Sequence, residues 1–227
     1  MKTIISILML VMMTTFSYAN DIYVTQSGAS LDLDITQDGS NNTVGNSTTA
    51  SASTGATTIL NIDQIGNSNV IKYQINGATY TGVINLVGNS NDVDLNCDST
   101  GGNSSCGSAN AVINFTGNSN DIDLDIGQTS SATSADVDIV GQSGSDSNVV
   151  AATVDGNSAI LTITINGDTN NYLLDIDGNG DVNGHTLIHS HTGGIADVDI
   201  TQSGTNDNMI TLTTSGDNAD IDISQTD

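Results

Sequence analysis

Past residue 19 the chain alternates apolar and polar residues in short runs. They read LDLDI at 31–35, DVDL at 92–95, DIDLDI at 121–126, DVDIV at 136–140, DVDI at 197–200 and DIDI at 220–223. A period of two is the signature of a strand with one dry face and one wet face. Leu31, Leu33, Ile35 and Gln37 fall on one face, and Asp32, Asp34, Thr36 and Asp38 on the other. No apolar repeat of helical period appears after residue 19, so the pattern predicts an all-β chain.

The strands are spaced by a ruler. Turn glycines stand at Gly28 and Gly39, then at Gly66, Gly77 and Gly88. Later come Gly144, Gly156, Gly167 and Gly178, then Gly204 and Gly216, with neighbours in each group 11 or 12 residues apart. The phrase Gly-Asn-Ser-Asn recurs at 66–69, 88–91 and 117–120, which adds Gly117 to the corners. Two steps make a unit of 22 or 23 residues. The ruler slips at a small-residue insert, 45–57, at 97–110, which carries both cysteines, and at 183–195, which holds all three histidines.

Each corner reads alike. Gln64-Ile65-Gly66 is followed by Asn69, and from Asn69 every second residue is apolar up to Ile75, where Ile75-Asn76-Gly77 begins the next corner. Glycine supplies the positive φ of such a corner, and Asn tolerates the left-handed region. Parity puts a Gln at the dry end of one strand and an Asn at the dry start of the next. The expected inward amides are Gln26, Gln37, Asn42, Gln64, Asn69, Asn91, Asn120, Gln142, Asn148, Asn170, Gln202, Asn208 and Gln225. A lone buried amide is costly, whereas amides stacked at about 4.8 Å can bond along a ladder. One unit cannot bury its dry face alone, but stacked units can. The chain is therefore expected to form a β-solenoid of stacked two-strand coils. About nine coils at about 4.8 Å give a rod of about 40 Å. A β-sandwich is the alternative fold, but sandwiches do not keep an 11-residue ruler.

Composition changes the picture at two points. Residues 1–19 carry one positive charge at Lys2, an apolar run from Ile4 to Met13, and small residues before the end at Ala19. They predict a cleaved signal peptide, a chain that starts near Asn20 and one domain over 20–227, exported from the cytoplasm, with no integral membrane segment after cleavage. All 26 acidic residues are Asp, with no Glu, Arg, Pro or Trp, and Lys72 is the one cation beyond residue 19. High charge with few aromatics resembles a disordered tail, but the alternation of Asp with Ile, Val and Leu argues for a folded, acid-faced sheet. So acidic a surface repels phosphate backbones, so nucleic acid is not an expected partner.

The repeat unit resembles the curlin repeat, Gln-x-Gly-x-x-Asn-x-(Ala/Val/Ile) with a further Gln six residues past the Asn. Gln37 to Val44 and Gln64 to Ile71 match the first part in full. Gln142 to Asn148 and Gln202 to Asn208 match with one extra corner residue. Gln26-Ser27-Gly28 and Gln225 match in part, and Leu86 and Phe115 replace the Gln in two units. The resemblance implies secretion through an outer-membrane pore, a nucleator, and polymerisation into amyloid fibres at a Gram-negative type cell surface, where they serve adhesion and biofilm. End-to-end stacking has its own physical basis, because a solenoid leaves an unpaired strand edge at each end, and this chain has no Pro and no evident cap.

Other features carry candidate chemistry. Cys97 and Cys106 read as a loop disulfide in a secreted chain. The stretch 175–186 fits the start of a calcium loop, with Asp175, Asp177, Asn179 and Asp181 at positions 1, 3, 5 and 7 but Thr186 where a Glu belongs. His185, His189 and His191 share strand parity and offer either a metal patch or a solvent-facing loop. Two or three coils carry Thr-x-Thr steps, too few for a flat ice-binding face. The absence of Arg, Glu and all but one mature Lys removes the groups a solenoid lyase uses, so no enzymatic activity is expected. The leading expectation is a fibre subunit that requires no cofactor. The second is a monomeric, acidic, calcium-binding solenoid adhesin for a glycan or cell surface.

Overall fold

The computed structural model describes residues 21–39, 41–45, 50–66, 68–97, 106–127, 134–156, 158–177, 185–204 and 208–226. The expected signal peptide lies outside them. The strands in chain order begin with β1 (Asp21–Ile22), β2 (Thr25–Ser27), β3 (Ser30–Asp38), β4 (Thr43–Val44), β5 (Ser51–Ile65) and β6 (Val70–Val87). Next come β7 (Asp92–Cys97), β8 (Ser108–Thr116), β9 (Asp121–Ile126), β10 (Ser134–Gly141), β11 (Val149–Asp155) and β12 (Ala159–Asn166). The last are β13 (Asn170–Asp177), β14 (Thr186–Thr192), β15 (Ala196–Ser203), β16 (Met209–Ser215) and β17 (Ala219–Thr226). The described residues contain no helix.

Every pairing is parallel and joins an element to its equivalent one coil away. This is a β-solenoid and excludes the sandwich. In the first sheet the order is β1, β4, the start of β6, β7, β9, β11, β13, β15 and β17. In the second it is β3, the end of β5, the end of β6, β8, β10, β12, β14 and β16. Side chains alternate strictly, so the inner rows of the two sheets meet in one continuous core from Ile35 to Ile200.

The coil length is not the constant 22 or 23 residues of the ruler. Successive inner asparagines are separated by 27, 22, 29, 28 and 22 residues along the chain, yet they stack in register. The strands hold register because slipping by one residue would turn every apolar side chain outward. Surplus residues fall between paired stretches, as between Val44 and Ser51, whose partners Ile71 and Tyr73 are only two apart, and lengthening a connection costs little.

The core amides form the expected ladder in one column, Asn42, Asn69, Asn91, Asn120, Asn148 and Asn170. The Nδ2 of Asn69 donates to Oδ1 of Asn91 at 3.0 Å, Asn91 to Asn120 at 2.8 Å, Asn120 to Asn148 at 3.0 Å and Asn148 to Asn170 at 3.0 Å. The backbone N–H of each of these residues donates to the same Oδ1. Nδ2 also donates to the corner carbonyl three residues back, Gly66, Gly88, Gly117 and Gly167 for Asn69, Asn91, Asn120 and Asn170. At the N-terminal end of the column, the buried Asn42 carboxamide finds no hydrogen-bond partner among the described residues.

The glutamines behave differently. Gln64 donates to Gln37 at 2.7 Å and Gln225 to Gln202 at 3.1 Å, but these are short runs at opposite ends of the rod. Leu86 and Phe115 continue the Gln37–Gln64 column, and Gln64 Oε1 is left buried without a partner. Gln26 lies in the column of Gln202 and Gln225, with Ser53, Ile75, Cys97, Ile126, Val154 and Ile176 between. Two expected rungs are corrected. Gln142 sits one past Gly141, in the outward slot of Thr116, and is exposed, because the corner at 142–147 starts a residue early. Asn208 heads a strand of the second sheet, where its Oδ1 accepts from the His185 N–H at 3.2 Å, so it is outside the asparagine column.

The corners are also more selective than expected. Positive φ is found at Gly39, Gly66, Gly88, Gly117, Gly144 and Gly204, and also at Gly45, Gly127 and Gly193, which the ruler did not mark. Gly77 is no tight turn, since β6 runs through it and bends from one sheet into the other. Gly28, Gly156, Gly167 and Gly216 turn without positive φ, and Gly178 lies outside the described residues. The left-handed residue is not the ladder Asn but the one before it: Asn41, Ser68, Ser90, Ser119, Ser147 and Thr169, with φ of 57° to 59°. At Gly117 a Cβ would strike the Gly88 carbonyl one coil away, so φ and close stacking both demand glycine there.

Two supposed inserts are core. Ser51, Ser53 and Thr58 of β5 are buried, and they stack under Tyr73, Ile75 and Tyr80 of the next coil. Small residues in one coil make room for large ones in the next. The stretch 186–192 is β14, an inner strand, and not a loop.

Asn120→Ala removes an amide from the middle of the ladder and takes from Asn91 Nδ2 and the Asn91 backbone N–H the acceptor they share. It is expected to lower unfolding stability by about 2–4 kcal/mol. Asn110→Ala, on the exposed face of β8, should change it by less than about 0.5 kcal/mol. Denaturant titration of both variants checks this.

Candidate functional site

The outer face presents the first candidate. In-register acid pairs occur at Asp92–Asp121, Asp94–Asp123, Asp155–Asp177, Asp197–Asp220 and Asp199–Asp222. Elsewhere the expected Asp ladders are broken by donors or apolar residues. Asn61 donates to Asp34 at 2.8 Å and Asn85 to Asp63 at 2.6 Å. Lys72 lies over the β7 pair, 2.6 Å from Asp92 and 3.6 Å from Asp94. Asp123 has its carboxyl pushed up, first by burial and then by Asp125, Asp94 and Asp121, against the pull of Lys72. Among the described residues no group of three His, Cys, Asp or Glu side chains is arranged to hold a metal ion.

The calcium-loop residues divide. Asp175 lies on β13 in register with Thr153 and Thr201, and Asp177 with Asp155 and Ser203. Both are therefore outward-parity strand positions. Asn179 and Asp181 lie outside the described residues. Cys97 and Cys106 are disulfide-bonded, with Cα atoms 5.8 Å apart, and both are buried.

The histidines are not in a solvent-facing loop. His185, His189 and His191 are all buried, on the inner face at β14. His189 stacks between Ile163 and Leu212, and His191 between Ile165 and Thr214. Tyr172, from the opposing sheet, packs edge-on to His189 at 4.4 Å between ring centroids and shares a 2.9 Å hydrogen bond with His191 Nδ1. Burial lowers the pKa of His189 to about 4, with His191 adding to the effect, and it lowers that of His191 against an upward pull from Asp168. Burial pushes the Tyr172 hydroxyl up. The strict two-residue spacing of His189 and His191 from Leu187 was the sequence signal for this inward face.

A second ladder escaped the sequence reading. At the corners the side chains of Asn89, Asn118, Asp146 and Asp168 each accept from the backbone of the next coil. The N–H of Asn118 donates to Asn89 at 2.6 Å, that of Asp146 to Asn118 at 2.8 Å and that of Asp168 to Asp146 at 2.5 Å; Gly194 donates to Asp168. The Asx one residue past Gly88, Gly117 and Gly167, and two past Gly144, was its trace in the sequence.

The two ends are the second candidate. At the C-terminal end, among the described residues, β17 pairs only with β15 and β16 only with β14, and every residue of β17 is exposed, including Ile221 and Ile223. At the other end, among the described residues, β1 pairs only with β4 and β3 only with β5, and Ile22, Leu31 and Leu33 are only partly covered. Both ends thus show an open strand edge and an unfinished apolar row. A search of protein-family models, of curated proteins and of solved structures found no match to this chain.

A histidine held neutral in the fold but protonated near pH 6.5 when unfolded adds stability that is complete above pH 6.5. That stability falls away as the pH drops toward 4. For His189 the loss amounts to about 3 kcal/mol across that window. His189→Leu, which matches its neighbours Ile163 and Leu212, should flatten the curve of stability against pH between 4 and 6.5. Denaturant midpoints measured at half-unit steps test it.

Proposed function

We propose that this chain is the structural subunit of an extracellular fibre, a curlin-like solenoid that polymerises end to end. The observation that carries the reading is the pair of strand edges left unpaired among the described residues at the two ends of the rod, each beside half-covered Ile and Leu side chains. Monomeric solenoids close such ends with a capping element or charge. The unbroken amide ladder and parallel register resemble the packing of functional amyloid within one molecule. The corner motif supports the same family, with export through an outer-membrane pore, growth from a nucleator, and service in adhesion and biofilm at a Gram-negative type surface.

The acids set the conditions of assembly. Two Asp one coil apart, at about 5 Å, repel by about 1 kcal/mol in water-like dielectric. Pairs such as Asp197–Asp220 and Asp199–Asp222 lie at the growing end. Divalent cations or high salt therefore favour assembly by screening, without a dedicated site. The reading of a monomeric calcium-binding adhesin rests on the same acids and predicts a different particle.

Electron microscopy of the purified protein, in calcium and in chelator at low salt, tests the proposal. Long unbranched filaments in calcium, growing more slowly in chelator, are expected. Single rods at high concentration in both buffers would overturn it and favour the monomeric adhesin. Equal growth rates in the two buffers would remove the cation dependence alone.

A further inference from the structure

The number of strands constrains how two copies meet. The first sheet contains nine strands, from β1 to β17, and the second eight, from β3 to β16. The described rod therefore spans an odd number of half-coils. If a second copy is added in the same orientation, its β1 and β2 lie on β17. Its β3 then stands two strand spacings above β16, and the intervening slot, about 10 Å deep, is empty. Such a gap strands a row of backbone donors and acceptors on each side.

A half-turn removes the gap. We infer that successive copies stack head to tail with each rotated by about half a turn around the rod axis, so that β1 and β2 of one copy lie on β16 of the last, and β3 lies on β17. This rests on the fibre reading above and specifies its joint.

The inner and outer rows at that joint match residue by residue. β17 reads ADIDISQ over 219–225 and β3 reads LDLDITQ over 31–37, while β15, already paired to β17, reads ADVDITQ over 196–202. On β17 the incoming β3 sets Leu33 on Ile221, Ile35 on Ile223 and Gln37 on Gln225. The Gln225-to-Gln202 and Gln64-to-Gln37 bonds both donate toward the lower-numbered residue. A Gln37 donor to Gln225 joins them into one run of four with a single polarity. In the other slot Ile22 and Val24 lie over Ile210 and Leu212. β3 thus carries the pattern of the first sheet's last strands, although in its own molecule it belongs to the second sheet.

The half-coils are interchangeable at their corners as well. Gln37-x-Gly39-x-x-Asn42 leads from the second sheet to the first, and Gln202-x-Gly204 leads from the first to the second and reaches Asn208. The joint also continues the acid columns, with Asp32 over Asp220 and Asp34 over Asp222, as Asp197 and Asp199 already meet those residues within the chain.

Disulfide trapping between single-cysteine variants of the full chain tests the joint. Asp34, Asp222 and Tyr23 have outward parity, and Cys97 and Cys106 are already bonded to each other. Strand neighbours about 4.8 Å apart lie within reach of a disulfide. Filaments grown from a mixture of Asp34→Cys and Asp222→Cys copies should yield cross-linked dimers on oxidation. A mixture of Tyr23→Cys and Asp222→Cys should not. The reverse result, filaments with a 23–222 cross-link and no 34–222 cross-link, overturns the half-turn while leaving the fibre reading intact. Filaments with neither cross-link overturn it as well, as does a cross-link in Asp222→Cys alone, which marks tail-to-tail packing. Wild-type protein that forms no filaments at all refutes the fibre reading and the joint together. Circular dichroism and thermal melting of each variant confirm that it folds before it is mixed.

Discussion

The structure depends on one interaction, the buried carboxamide that bonds to its own copy one coil away. Asn69, Asn91 and Asn120 each use their amide hydrogens twice, once on the next side chain and once on their own corner. A buried amide left alone costs free energy, and a buried amide in a column does not. The requirement acts at each rung from Asn42 to Asn170 and tolerates no slip, and Ala196 and Ala219 continue the column in the last two coils. It therefore fixes where each strand starts, and the corner glycine and the left-handed Ser or Asn follow as the means of delivering the Asn to its place.

This explains how coil lengths from 22 to 29 residues can share one register. The ladder measures position in space and not along the chain. Extra residues fall between the paired stretches, and the sheets continue in register. The apolar rows then pack by size, with Tyr73 and Tyr80 over Ser51 and Thr58, and Gly82 leaving room beside the Tyr80 ring. The same logic runs out at the ends of the described rod, where two sheet edges stop.

Much of this was legible in the residues. Alternation of Asp with Ile and Leu announced the strands, and Gly-x-x-Asn announced the corners and the asparagine column. The errors have physical causes. Parity read along the chain cannot tell which of two similar sheets a strand joins, so Asn208 was placed in the wrong column and Gln142 on the wrong face. Small residues at 51–57 looked like a linker because their role depends on large neighbours one coil away. Histidines looked exposed because burial of three imidazoles requires a partner, Tyr172, that lies elsewhere in sequence. The candidate assembly surface was legible only as an absence of caps, since the odd count of half-coils exists only once each strand is assigned to its sheet.

The central claim is that the stack of strands within one chain continues across its ends, so that the strands lie perpendicular to a long axis shared by many copies. X-ray diffraction from aligned filaments of the assembled protein measures this directly. The account predicts a sharp reflection at about 4.8 Å along the filament axis and a broader one near 10 Å across it. An axial pattern without the 4.8 Å reflection, or that reflection turned onto the equator, would contradict it.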